Sequence, residues 1–228
     1  TDVDSSTTDD GTNTIALTST GAGIEAQLIT AGASNDVTLD AQSGPITQDG
    51  DADADVIADV LTADAAGGID LDTTIASLDA STSAAGDIVI DETDAIVLTD
   101  VDTNDGAITV TAGGQITAVD VDSSNTDDDT NDISLTSTGA GIEAQLITAG
   151  ASNDVTLDAQ GGAITQDGDL AVDVIADVLT ADAAGGIDLD TTIASLDATT
   201  TAAGNILIDE TNAITLTDVD TADGTITV

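Results

Sequence analysis

The sequence predicts an all-β chain built as a parallel β-solenoid of about 20-residue coils, and three observations lead there. Ile, Val and Leu recur in short alternating runs such as Ile88-Val89-Ile90, Ile96-Val97-Leu98 and Ile108-Thr109-Val110, each bounded by Gly, Asp, Asn or Ser. Alternation over so few residues, closed by turn formers, is the pattern of short strands. The β-branched residues Ile, Val and Thr dominate, and Gly or Asp-Gly interrupts the chain about every ten residues, which leaves no room for helices. The third observation is repetition at two nested periods.

Taken in order, the short period first shows in Ile15/Leu17 with Ile24, then in Val37/Leu39 with Ile46. No register is legible between about residues 50 and 66. It resumes at Gly67-Gly68-Ile69-Asp70-Leu71, returns 19 residues later at Gly86-Asp87-Ile88-Val89-Ile90, and 20 residues after that at Gly106-Ala107-Ile108-Thr109-Val110. In this alignment Ile88 falls on Ile108, Ile90 on Val110, Ile96 on Ile116, Val101 on Val121, and Asp100-Val101-Asp102 on Asp120-Val121-Asp122. Each unit offers two clear apolar strands and a weaker third. One triangular coil needs three short strands, three turns and aliphatic side chains stacked on the coil below.

The long period is 118 residues. Residues 1–110 superimpose on 119–228 without a gap, 92 of the 110 pairs are identical, and Gly21–Gln42 recurs unchanged as Gly139–Gln160. The expectation is one continuous solenoid over residues 1–228, with a first repeat at 1–118 and an incomplete second at 119–228, cut from a longer tandem array. Five or six coils fit into each repeat. Differences between the copies orient the strands: Val89 becomes Leu207, Val97 becomes Thr215 and Ala16 becomes Ser134, while Ile88/Ile90, Ile96/Leu98 and Ile15/Leu17 reappear unaltered. Neighbours in a strand alternate faces, so the variable middle residue points to solvent and its flanks point into the core.

The phrases Gly86-Asp-Ile-Val-Ile, Ala107-Ile-Thr-Val-Thr-Ala-Gly-Gly-Gln-Ile-Thr-Ala and Gly204-Asn-Ile-Leu-Ile resemble the roughly 20-residue repeats of filamentous-haemagglutinin-like proteins, the large bacterial adhesins of two-partner secretion. The resemblance covers most of the chain. It implies a right-handed parallel β-helix, a long secreted or surface-attached rod and a role in adhesion. It carries over no catalytic residues, because those repeats form a stalk.

Composition narrows the chemistry sharply. The chain has 45 Asp plus Glu, no Lys, Arg or His, and a formal net charge of −45. It also lacks Cys, Met, Trp, Tyr and Phe. Thiolate nucleophiles, imidazole bases and Cys or His metal sites are therefore absent. Nucleic acid is not an expected partner, since phosphate binding needs cations and base stacking needs rings. Asp interrupts every apolar run well before the roughly 18 residues of a membrane span, so no membrane insertion is expected.

Carboxylates are what remains. Asp100-Val-Asp102-Thr-Asn-Asp105-Gly106 and its copy Asp218-Val-Asp220-Thr-Ala-Asp223-Gly224 have the look of a calcium loop. The glycine comes one place too late for an EF-hand, and position twelve is Thr111 where a Glu is needed. Two readings stand: an Asp-rich turn between coils, or a loose Ca²⁺ or Mg²⁺ site formed by Asp100, Asp102, Asp105, Asp120, Asp122, Asp218, Asp220 and Asp223. No cofactor is required on either reading. The run Asp49, Asp51, Asp53 and Asp55 keeps only Asp167, Asp169 and Asp173 in the second copy, which argues against a fixed site there. Acid and base chemistry by two carboxylates is conceivable. A polyanion would repel acidic polysaccharides, however, and Glu25/Glu143 and Glu92/Glu210 are merely equivalent positions, so no catalysis is expected. Gly67-Gly68 and Gly113-Gly114 read as turns, because neither a lysine nor a helix accompanies them.

Three function classes follow. The first is a structural stalk or filament segment, extracellular or at the cell surface, whose partners are further copies of its own repeat and another cell surface. The second is an array of calcium-stiffened immunoglobulin-like adhesin repeats, which the 20-residue subperiod and the missing core aromatics disfavour. The third is an ice-binding solenoid, suggested by Thr109/Thr111 and Thr215/Thr217 and opposed by intruding Asp.

Overall fold

A computed structural model describes residues 2–7, 9–126 and 128–228, and all regular structure among them is β-strand. Every strand pairing is parallel, and all strands belong to one sheet that winds about a single axis. The coil with the clearest outline consists of Ile108–Ala112, Ile116–Ala118 and Val121–Asp122, which are termed here the first, second and third faces. Each strand hydrogen-bonds to its counterpart one coil below and one coil above. Ile108–Ala112 pairs with Ile88–Glu92 and with Ile133–Ser137; Ile116–Ala118 pairs with Ile96–Leu98 and with Ile142–Ala144. The expected alignments Ile88/Ile108, Ile90/Val110, Ile96/Ile116, Val101/Val121 and Asp102/Asp122 are the observed ones.

The core is the set of inward side chains from all three faces. One rung runs through Ile24, Ile46, Ile69, Ile88, Ile108, Ile133, Val155, Leu179, Leu196 and Leu216, which makes ten coils. At a coil spacing of about 4.8 Å, ten coils span roughly 50 Å. Inward positions are filled mainly by Ile, Leu, Val and Ala, because aliphatic side chains stack on copies of themselves without leaving voids in a narrow triangle, with Thr73, Thr103, Ser137, Thr191 and Glu92 among the buried polar residues at strand ends and corners. The orientation inferred from the sequence variation holds. Ile88, Ile90, Ile96, Leu98, Ile206 and Ile208 are buried, whereas Ala16, Val97, Leu207 and Thr215 are exposed and Val89 and Ser134 half-buried. Leu17 and Ile214, in the outermost coils, are only partly covered.

No boundary separates the two copies. Val121–Asp122, just beyond residue 118, pairs below with Val101–Asp102 and above with Ile147–Thr148. An array of immunoglobulin-like sandwiches is thereby overturned as an architecture, since such domains are antiparallel and separated by linkers. The coil count resolves to neither five nor six. From Ile24 the rung climbs five coils to Ile133, yet Ile142, the repeat equivalent of Ile24, lies on the next face, in the rung of Ile96, Ile116 and Ile164. One repeat is therefore five coils and part of a sixth, ending three inward columns beyond a whole number of coils, where a coil has the seven columns of Ile108, Val110, Ala112, Ile116, Ala118, Val121 and Ser123.

Coil length varies while the faces stay in register. Ile29 to Val56 takes 27 residues, and Val56 to Thr73 takes 17. The long coil contains the Asp-rich loop at 49–55, which is why no period could be read there. The short one follows because Val56–Ala65 and Ile69–Ala85 round their corners as continuous strand. Elsewhere corners carry glycine where backbones of adjacent coils touch. A Cβ on Gly86 would fall within clashing distance of the Gly68 backbone nitrogen, whereas a Cβ on Gly21 would meet nothing within 4 Å. Gly86→Ala is accordingly expected to lower stability by about 1–3 kcal/mol through overpacking. Gly21→Ala should change it by less than about 0.5 kcal/mol, as at other open surface positions. Urea denaturation of the two variants beside the parent chain checks this; equal midpoints for both would refute the close approach.

Candidate functional site

The only dense chemistry on the rod is its carboxylates, and in-register stacking decides which of them meet. Asp100 and Asp102 lie in Ile96–Asp105, a strand that crosses from the second face to the third. Asp102 pairs directly with Asp122, while Val101 between the two aspartates pairs with Val121 and points inward. Asp100, Asp102, Asp120 and Asp122 are thereby brought together as two layers of one ladder. The ladder extends further down than the sequence motif suggests. Asp79 pairs with Asp100, and Asp40 pairs with Asp64, which pairs with Ser81 below Asp102.

The remaining candidates lie elsewhere. Asp105 ends its strand opposite Ala85. Asp218, Asp220 and Asp223 belong to Thr215–Asp223, where they pair with Asp197, Thr199 and Ala203 on the first face, one face removed from their repeat equivalents. Asp100, Asp102, Asp120 and Asp122 thus belong to one ladder and Asp218 and Asp220 to another, while Asp105 and Asp223 each lie opposite an alanine. Among the described residues, no group of three or more acidic side chains is arranged to hold a metal ion.

Electrostatics within the first ladder follow from this geometry. Partial burial, followed by the charges of Asp100, Asp122 and Asp120, pushes the Asp102 carboxyl up to about 6. Asp120 is raised by burial and then by Asp100 and Asp122, and Asp79 by burial and then by Asp100 and Asp64. In the second ladder, Asp182 is raised by burial, Asp158 and Asp197. No cation exists in the chain to oppose any of this.

A second group of carboxylates is buried and has a different task. Glu92 accepts hydrogen bonds from Thr73 Oγ1 at 2.8 Å, from the Ile75 amide at 3.0 Å and from the Asp94 amide at 2.9 Å. It fills the corner where a 17-residue coil meets a longer one and the ladder slips, and so satisfies an amide that the neighbouring strand does not reach. Glu210 repeats the arrangement with Thr191, Ile193 and Asn212. Asp55 accepts from the Asp72 amide and Asp173 from the Asp190 amide, closing the Asp-rich loops onto the next coil. Burial raises Glu92 and Asp55, and pushes Asp173 up to about 6. Buried Asn35 and Asn153 act likewise: each accepts from the amide of an asparagine one coil below, Asn13 or Asn131, at 3.0 Å. Glu92 and Glu210 are thus corner braces, a role hidden in the sequence because it depends on which coils are short. The one available sign is their spacing of 19 residues from Thr73 and Thr191.

The surface threonines do not form a regular array. Thr109 stacks between Val89 and Ser134, and Thr111 between Asp91 and Thr136. Shallow apolar depressions occur in both copies at equivalent residues, around Ala33, Ala58 and Ala76 and around Ala151, Ala176 and Ala194. Neither contains a charged group apart from Asp94, which is Asn212 in the second copy.

The raised carboxylates link stability to pH. A folded-state value above the unfolded one means that protonation favours the fold. The resulting stability is fully present below about pH 4 and is lost as the pH climbs through about 6 for Asp102 and Asp173. The melting temperature is therefore expected to be higher at pH 5 than at pH 7.5. Asp102→Asn should raise it at pH 7.5 and flatten the difference. Thermal melts monitored by circular dichroism decide this; a melting temperature that rises with pH over that interval would contradict the assigned shifts.

No family model, curated protein or solved structure matches this chain.

Proposed function

We propose that the chain is a structural stalk segment of a bacterial adhesin or other surface protein, working outside the cell as a spacer without catalysis. The observation that carries this reading is the unbroken ladder across residues 118 and 119, by which a second repeat adds length to the same axis and creates no new domain. An array of such repeats can only grow longer. The repeat phrases that resemble filamentous-haemagglutinin-like stalks agree with it, and so does a surface on which mostly polar and acidic side chains alternate with the core along the strands of the inner coils.

Partners on this reading are further copies of the repeat along the axis. Exposed strand edges at a coil end favour continuation, because parallel solenoid coils leave backbone groups unpaired until another coil covers them. The acidic ladders suit an exterior rich in salt or calcium, where cations gather diffusely along the stacked aspartates, including Asp218 and Asp220, without a coordination cage. Each Asp pair one coil apart repels by about 1 kcal/mol in water, and screening by salt reduces this.

Two measurements test the reading. Tandem chains of two, four and six repeats, viewed by electron microscopy, should be straight rods that lengthen by about 26 Å per repeat at the usual strand spacing. Beads on a string or compact particles would end the stalk proposal. Melting in low salt should occur at a lower temperature than in 0.5 M NaCl or with millimolar Ca²⁺, and EDTA should reverse the calcium effect; a melting temperature indifferent to all of these would remove the cation dependence.

A further inference from the structure

The ladders fix how the two copies are rotated with respect to each other. Ile24, Ile46, Ile69, Ile88 and Ile108 form one rung, on the first face. Their repeat equivalents Ile142, Ile164, Ile187, Ile206 and Ile226 form another rung, on the second. Ile15 and Val37 stand in the column of Leu61, Leu78, Leu98 and Ala118, on the second face, while Ile133 and Val155 continue the first-face rung. Ile29 stands in the column of Val56, Thr73, Glu92 and Ala112, whereas Ile147 stacks on Val121. With the inward columns of a coil marked by Ile108, Val110, Ala112, Ile116, Ala118, Val121 and Ser123, each of these positions advances by three columns of the seven from copy to copy.

Surface features advance with the rungs. The Asp-rich loop at 49–55 leaves the first face after Ile46–Thr47, and its copy at 167–173 leaves the second face after Ile164–Gln166. The loop before Ile15–Ser19 leads into the column of Leu98 and Ala118, at the end of the second face, whereas its copy before Ile133–Ser137 leads onto the first. The apolar depression around Ala58 and Ile75 and its copy around Ala176 and Ile193 are displaced by the same step.

From these registers we infer that a repeat length of five coils and three of seven inward columns turns each copy about the axis against the one before it, so that any surface encoded once per repeat is presented to partners in a different direction by successive copies. Successive presentations are separated by about 26 Å along the axis. A repeat of five or six whole coils would have lined up all its loops and depressions along one side. The rotation instead suits partners that bind singly or surround the rod, such as neighbouring rods on several sides. It is unsuited to one extended flat surface, which would require a feature recurring on every coil of one face. The inference rests on internal register and stands or falls independently of the stalk reading.

The chain has no cysteine, so site-directed spin labels can be placed without background. Ala52 and Leu170 are exposed equivalents in the Asp-rich loops, and Leu170 is 97% exposed. Gln160, also exposed, leaves the first face five coils above the loop that holds Ala52. Electron–electron distance measurements compare the pair Ala52→Cys/Leu170→Cys with the pair Ala52→Cys/Gln160→Cys. The axial separations differ by only about 2 Å at the usual coil spacing, yet the rotation between the copies should make the first distance longer by about 10 Å or more. Asp10→Cys with Asp128→Cys, equivalent exposed positions in the other long loops, should give a similarly long distance. Equal mean distances for the first two pairs would place the copies in phase and overturn the rotation.

Discussion

Everything in this structure follows from in-register parallel stacking at about 4.8 Å. A ladder of this kind places each side chain on the residue one coil away, so like side chains meet both inside and outside. Inside, this is favourable: the rung through Ile88, Ile108 and Ile133 is fully buried, and burying an Ile side chain is worth about 1.5–3 kcal/mol. Outside, the same rule sets Asp102 on Asp122 at a cost of about 1 kcal/mol per pair in water. The aliphatic gain exceeds the acidic cost, and each coil has several inward rungs for each stacked acid pair. The fold can therefore carry a net charge of −45 without a single internal counterion.

Faces and corners share the work unequally. The faces hold register, while the corners absorb differences in coil length between 17 and 27 residues. Each such adjustment threatens to strand a backbone amide, and the structure meets it with a buried acceptor: Glu92 at Ile75, Asp55 at Asp72, Asn35 at Asn13. Among the described residues no buried side-chain polar atom lacks a partner. Burial of these acids makes the corners, as well as the ladders, sensitive to protonation. Structure and electrostatics are thus coupled along the whole rod.

The repeat adds a second level of order. Because 118 residues end part of a turn beyond a whole number of coils, near-identical sequences occupy different faces in the two copies. The Asp100/Asp102 ladder lies on the third face and the equivalent Asp218/Asp220 ladder on the first. Sequence identity between copies therefore does not place equivalent residues together, which is why aspartates grouped by motif separate into two ladders in space.

The fold class, the inward and outward sides of the strands and much of the register are legible in the residues alone. Those depend on local alternation and on periods of 19 and 20 residues that remain visible between Ile69 and Val121. Where coils depart from that length, as from Ile29 through Val56 to Thr73, periodicity fails and only the tertiary structure could decide the path. The same holds for Glu92 and Glu210, whose hydrogen-bonding partners exist only because a short coil lies beneath a longer one. The angle between the copies was settled at this level too. It is the sum of every coil length in the repeat, fixed by how each corner closes against its neighbours, and no single motif encodes it.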